Sequence, residues 1–237
     1  GAVTAWASLR WQGAAFFEGV TFPEGELLPI PLVLGPANLA PDPRVAISKA
    51  QLAADERSLV EGVWVTSPAR ALLDEIRRHR QLRQAVVDIE MVLAAGILSS
   101  ADWTDYLETR NGWTSIRVAR EAAGLAGLGC RTPQEVRMAL VWMLDAELPR
   151  PVCNRPVFDR TGRLIAIPDL FDPVAGCAGE YQGADHKDGQ RHRDDVARDQ
   201  RVRNAGIETL EVVGGDLGDR NLVVTRMLEA HRRSRFL

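Results

Sequence analysis

Residues 163–186 read RLIAIPDLFDPVAGCAGEYQGADH, and the fold of the second half of the chain turns on them. The pattern predicts two strands joined by a turn. The first spans 164–170 and ends on Asp169; the second spans 177–182 and carries Glu180 and Gln182. Residues two apart on a strand point to one face, so Glu180 and Gln182 look the same way. If the strands pair as a hairpin, Asp169 comes close to Glu180. Two carboxylates and an amide oxygen then converge at one end of a sheet. Hard cations such as Mg²⁺ or Mn²⁺ prefer oxygen clusters of this kind, with room left for water and phosphate.

Outward from that stretch, Thr132-Pro133-Gln134-Glu135 opens a helix running to about residue 147, with Val136, Leu140, Val141 and Leu144 as its apolar stripe. Residues 152–158 read as a strand and Asp159-Arg160-Thr161-Gly162 as a turn. After 177–182 comes a polar loop, then a charged helix over 191–204, a strand over 207–213 and a last helix over 220–232. The order is helix, three strands, helix, strand, helix.

The first half reads as a smaller mixed domain. A helix is expected within 4–16 and strands near 27–34, 44–48 and 63–66. Ser67 caps a helix that starts at Pro68 and keeps Ala69, Leu72, Leu73 and Ile76 on one face. Further helices follow over 81–95, 99–108 and 114–123. The glycines of 124–129 mark the boundary, giving domains at 1–125 and 130–237. No chemical constellation stands out in the first half.

Composition narrows the classes. The chain has 237 residues, 46% of them hydrophobic and 26% charged, with a formal net charge of −3. Those proportions belong to a globular protein, and no apolar run is long enough to span a membrane. The charge balance does not favour a strongly basic DNA-binding chain. Cys130, Cys153 and Cys177 lack metal-site spacing and read as buried reduced thiols, which places the protein in the cytoplasm. The six tryptophans are scattered and read as core.

The element order, with an acid on its first helix, an Asp ending its second strand and an acid on its third, resembles the PD-(D/E)XK nuclease superfamily. More narrowly, Thr132-Pro133-x-Glu135, Pro168-Asp169, Glu180-Tyr181-Gln182-Gly183, His186, Asp195 and Asp199 resemble the very-short-patch-repair-endonuclease-like domain. The tail from Asn204 to Leu217 resembles that family's ending. Val65-Thr66-Ser67-Pro68-Ala69-Arg70 resembles the segment preceding this domain in bacterial proteins that begin with a winged helix like that of AbiEi-type antitoxins. No clear winged helix is present in 1–125, which would put Gly1 just past one.

The resemblance implies a restriction-endonuclease-like mixed sheet flanked by helices, an α/β (α+β) architecture. It implies Asp169 and Glu180 as metal ligands, with Glu135 holding a metal-bound water or a second ion. Gln182 stands where the superfamily usually has Lys; Gln supplies neither positive charge nor a transferable proton. His186 matches a family histidine suited to general acid or base work.

Each residue also has a plainer reading. Thr132 and Glu135 form a capping box. A proline-preceded Asp169 suits a turn, Glu180 an edge, and Asp185-His186 an exposed loop. Asp195 and Asp199 share a helix face with Arg191, Arg198 and Arg201, an arrangement suited to surface ion pairs or, on DNA, to arginines on phosphates. Two functional classes follow: a Mg²⁺-dependent phosphodiesterase acting on DNA, or a non-catalytic DNA-binding regulator such as the antitoxin of a cognate toxin. A third reading is an interaction module whose acids are surface residues.

Overall fold

The computed structural model describes residues 1–21, 25–183 and 191–234, and for 191–197 the backbone alone. It is an α+β protein that divides into two compact units, Gly1–Gly127 and Leu128–Leu237.

The first unit contains β1 (Ala2–Val3), α1 (Ala5–Trp11), β2 (Ile30–Val33), β3 (Val45–Ser48), β4 (Arg57–Val60), β5 (Val63–Thr66), α2 (Pro68–His79), α3 (Leu82–Ala94), α4 (Ser100–Glu108) and α5 (Ile116–Leu125). Its sheet runs β3-β2-β1-β5-β4, with β1 parallel to β5 and antiparallel to β2. The α2 helix starts where the sequence predicts: the Ser67 side chain accepts from the Arg70 amide, and Pro68 occupies the first turn. It ends at Arg80, in the left-handed region at φ 59°. Ala69, Leu72, Leu73 and Ile76 are buried.

Arg70 lies beside that buried stripe and is fully inaccessible. It bonds Glu56 at 2.7 Å and Asp74 at 3.0 Å, and its guanidinium sits 4.8 Å from the centre of the Trp113 ring. Tyr106 donates to Glu56 at 2.8 Å and Arg110 reaches the same oxygen at 3.1 Å. Those partners hold the Glu56 carboxyl below its usual value although burial pushes it up. Trp103 is core, as expected, but Trp11 and Trp64 are about half exposed. Trp11 instead donates its ring N–H to the Val60 carbonyl, and Arg57 lies over the Trp64 ring.

The second unit contains α6 (Pro133–Leu140), β6 (Val152–Cys153), β7 (Val157–Phe158), β8 (Leu164–Ala166), β9 (Leu170–Asp172), β10 (Cys177–Gln182), α7 (Arg191–Asn204), β11 (Glu208–Val213) and α8 (Arg220–Arg233). A π-helical turn, Val141–Asp145, extends α6. The principal sheet runs β11-β10-β9-β6, with β10 parallel to β11 and β9 antiparallel to both neighbours.

Two expected strands are each divided. The strand expected over 152–158 is β6 and β7, and the one expected over 164–170 is β8 and the start of β9. β7 and β8 form a separate two-stranded ribbon. The division at Ile167-Pro168-Asp169 has a physical cause, because Pro168 has no amide hydrogen for a ladder. Asn154 takes over that stretch, its amide donating to the Pro168 carbonyl at 3.1 Å. The β9–β10 connection closes on Asp172, whose carboxylate accepts from the Val174 and Ala175 amides, with Gly176 at φ 74° completing the turn.

Strand alternation sorts the sheet into two faces. Leu170, Cys177, Leu210 and Val212 are buried on one face, toward α6 and α8. The other face carries Phe171, Ala178 and Glu180. There Phe171 and Ala178 join Ile165, Ala166, Val202 and Ile207 in an apolar cluster under α7. Cys130, Cys153 and Cys177 are buried free thiols. Among the described residues no helix is long and apolar enough to cross a membrane.

Candidate functional site

The ladder register sets the site. Gly179 pairs with Leu170, Ala178 with Phe171 and Cys177 with Asp172. One further antiparallel step sets Asp169 opposite Glu180. The backbone leaves the ladder there, and the Asp169 side chain completes the step: its Oδ2 accepts from the Tyr181 amide at 2.7 Å. On the other side Glu180 pairs with Glu211 of β11. Paired residues share a face, so Glu180 and Glu211 lie side by side on neighbouring strands about 4.8 Å apart, and Asp169 approaches Glu180 from the junction before β9.

Glu180 is the most perturbed member. It borders the α7-side apolar cluster beside Pro168 and Thr209. Burial pushes its carboxyl up to about 7 against the counteracting Arg198 guanidinium, with Asp169, Glu211 and Asp199 raising it further. Arg198, on α7, forms an ion pair with Glu180 Oε1. Burial also raises Asp169, and the nearby Glu135 charge adds to this, while the Tyr181 amide bond and the Arg198 charge oppose it.

Glu135 sits at the same end of the sheet, behind the Thr132 cap, and bonds the amide before the cap rather than that of the cap itself. Its amide donates to Thr132 Oγ1, Thr132 donates back to Oε1 at 2.9 Å, and Oε2 accepts from the Arg131 amide at 2.8 Å. Asn154 Nδ2 also donates to Oε2, at 2.7 Å. Both carboxylate oxygens are therefore engaged in fastening α6 to the strand junction beside Asp169.

Gln182 is two residues along β10 from Glu180, on the same face, paired with Val213. Arg201 is half-buried, with Nε 3.4 Å from the Ile165 carbonyl of the ribbon. His186 lies outside the described residues, as do the side chains of Arg191 and Asp195. A cleft of about 310 Å³ between α7 and β11 is lined by Asp199, Arg203, Glu208, Thr209 and Glu211.

Glu211 was not singled out by the sequence. Its signal is the alternation Leu210-Glu211-Val212, which turns one acid away from two buried apolar neighbours. What joins it to Glu180 is a parallel pairing across a helical crossover.

Asp169 and Glu180 fit a hard cation in chemistry: two carboxylates near enough to raise one another's affinity for a proton, with water and substrate oxygens left to complete the shell. They do not form a ready-made cage. Among the described residues no group of three or more His, Cys, Asp or Glu is gathered as metal ligands. Any cation must also compete with Arg198 for Glu180.

No protein-family model, curated protein or solved structure matches the chain.

Proposed function

We propose that the second unit is a divalent-cation-dependent phosphodiesterase acting on DNA, built on a restriction-endonuclease-like plan. The observation that carries this reading is the bond from the Tyr181 amide to Asp169, which holds that carboxylate at the junction before β9, beside Glu180 of β10. The order α6, β6, β9, β10, α7, β11, α8 supports it as the arrangement the sequence resemblance implies.

In this reading Asp169 and Glu180 hold Mg²⁺ or Mn²⁺. When bound, the cation polarises the scissile phosphate and activates water. Asp169 is oriented for this by the Tyr181 amide, which fixes one oxygen and leaves the other free to bind. Glu135 holds α6 against the junction and so keeps Asp169 in place. Arg198 pairs with Glu180, and with that carboxylate given to a cation its guanidinium would be available to a phosphate oxygen. Gln182 orients water through its amide and supplies no charge.

A second reading is favoured by one observation: the carboxylate most needed for a cation is already neutralised by Arg198. In that reading the same unit is a non-catalytic DNA-binding regulator, such as the antitoxin of a cognate toxin. Incubation with supercoiled DNA separates the two. Phosphodiesterase activity requires nicking in Mn²⁺ or Mg²⁺ that chelator and Glu180→Gln both abolish. The regulator requires salt-sensitive duplex binding without metal and no nicking.

A further inference from the structure

A second place in the molecule has the composition of a ligand site. In the first unit a cleft of about 270 Å³ opens where the end of α2 meets β2 and β3. Its walls carry Arg77, Arg78 and Arg80, with the hydroxyl-bearing residues Thr4, Ser48 and Thr114. One carboxylate, Asp74, shares the wall, and it is already satisfied. Its Oδ2 accepts from Thr4 at 2.7 Å and from the buried Arg70 at 3.0 Å; its Oδ1 accepts from Arg77 at 2.9 Å.

The three arginines keep donors in hand. Arg77 spends Nη1 on Asp74, and its Nε is buried with no hydrogen-bond partner. The Trp113 ring centre lies 5.6 Å from its guanidinium, holding the group in place. Arg78 uses Nε on Glu75 at 3.3 Å, with 29% of its side chain exposed, and the exposed Arg80 uses Nε on the Arg77 carbonyl at 3.3 Å. Ala5, on the same wall, holds φ at 50°, a strained conformation of the kind that gathers at ligand sites.

We infer that this cleft binds a phosphoryl group. Planar guanidinium forks match phosphate oxygens, and three of them suit a tetrahedral anion better than the two oxygens of a carboxylate. The volume is below the roughly 300–1,000 Å³ of pockets that enclose drug-sized ligands, so the occupant is a small phosphomonoester or one phosphate of a nucleic acid backbone. The inference is independent of the phosphodiesterase reading, because no residue is shared.

The test uses the full chain and inorganic phosphate, titrated at constant ionic strength with chloride as compensating salt, reading the melting temperature. The expected result is a saturable rise, with Arg78→Ala/Arg80→Ala weakening apparent phosphate affinity by about tenfold or more, the scale of a lost charged hydrogen bond. Arg78→Ala also removes the ion pair to Glu75, so each variant's rise is read against its own phosphate-free melting temperature; Arg80→Glu, at an exposed side chain, gives a second, charge-reversed reading. No saturable rise, or an equal rise in both variants, overturns the inference. A labelled duplex then identifies the source. Displacement of the duplex by phosphate, and its loss in the double variant, assigns the site to a nucleic acid backbone. Duplex binding indifferent to the variant, with phosphate binding intact, assigns it to a free phosphomonoester.

Discussion

Glu180→Gln should change the pH dependence of stability far more than the fold. The folded-state value of about 7 lies above the ordinary 4.5. Between those two values the folded chain holds a proton on Glu180 that the unfolded chain has released, so stability falls as pH rises through that window and levels off above it. The shift of about 2.5 units corresponds to an order-of-magnitude cost of about 3 kcal/mol above pH 7, at 1.36 kcal/mol per unit. Glutamine keeps the volume and a carbonyl acceptor for Arg198, whose side chain is 36% exposed and can be solvated instead. The variant should therefore match the parent near pH 4 and become progressively more stable than it toward pH 8. Hydrogen exchange of the β10 amides, corrected for intrinsic rates, isolates the second unit from the first. A constant offset between parent and variant across the whole range would refute the reasoning.

Three other substitutions probe separate parts of the account. Arg198→Ala removes the internal competitor for Glu180 and should tighten Mn²⁺ binding by about fivefold, the upper scale of a solvent-accessible ion pair, by calorimetry; equal or weaker binding contradicts the exchange. Arg70→Met removes the buried charge shared by Glu56 and Asp74, which keep Arg110 and Arg77, and should destabilise the first unit by about 2–4 kcal/mol in urea unfolding; a loss below about 1 kcal/mol counts against the buried network. Thr132→Ala should cost the second unit about 1 kcal/mol as a lost helix cap, measured by exchange of the α6 amides, with Mn²⁺ affinity unchanged. A fall in affinity matching that of Glu180→Gln would instead make this end of α6 part of the cation site.

Much of the framework was legible because its signals are local. Ser67-Pro68 and Thr132-Pro133 mark helix starts, and the small apolar residues before Glu180 mark a strand. The division at Ile167-Pro168-Asp169 was less visible, since Leu164, Ile165 and Ala166 read on smoothly into Leu170 and Phe171. Only the pairing partners reveal that β8 and β9 belong to different sheets. The Arg198–Glu180 ion pair joins a helix to a strand 18 positions earlier, and Glu211 meets Glu180 through a crossover; neither leaves a periodic trace. Arg70 was hidden differently. It lies beside the apolar stripe of α2, and its spacing of four from Asp74 reads as an ordinary surface pair, whereas its other partner, Glu56, comes from the short 3-10 turn before β4. β1 and β4 are too short or too polar to register as strands.

The central claim is that Asp169 and Glu180 share one divalent cation, and melting the full chain across a Mn²⁺ titration tests it most directly. A folded-state ligand at about 100 times its dissociation constant stabilises by about 2.7 kcal/mol, so the parent's melting temperature should rise and saturate. Asp169→Asn and Glu180→Gln should each remove that rise while remaining folded. A parent that does not respond, or variants that respond as fully as the parent, would contradict the account.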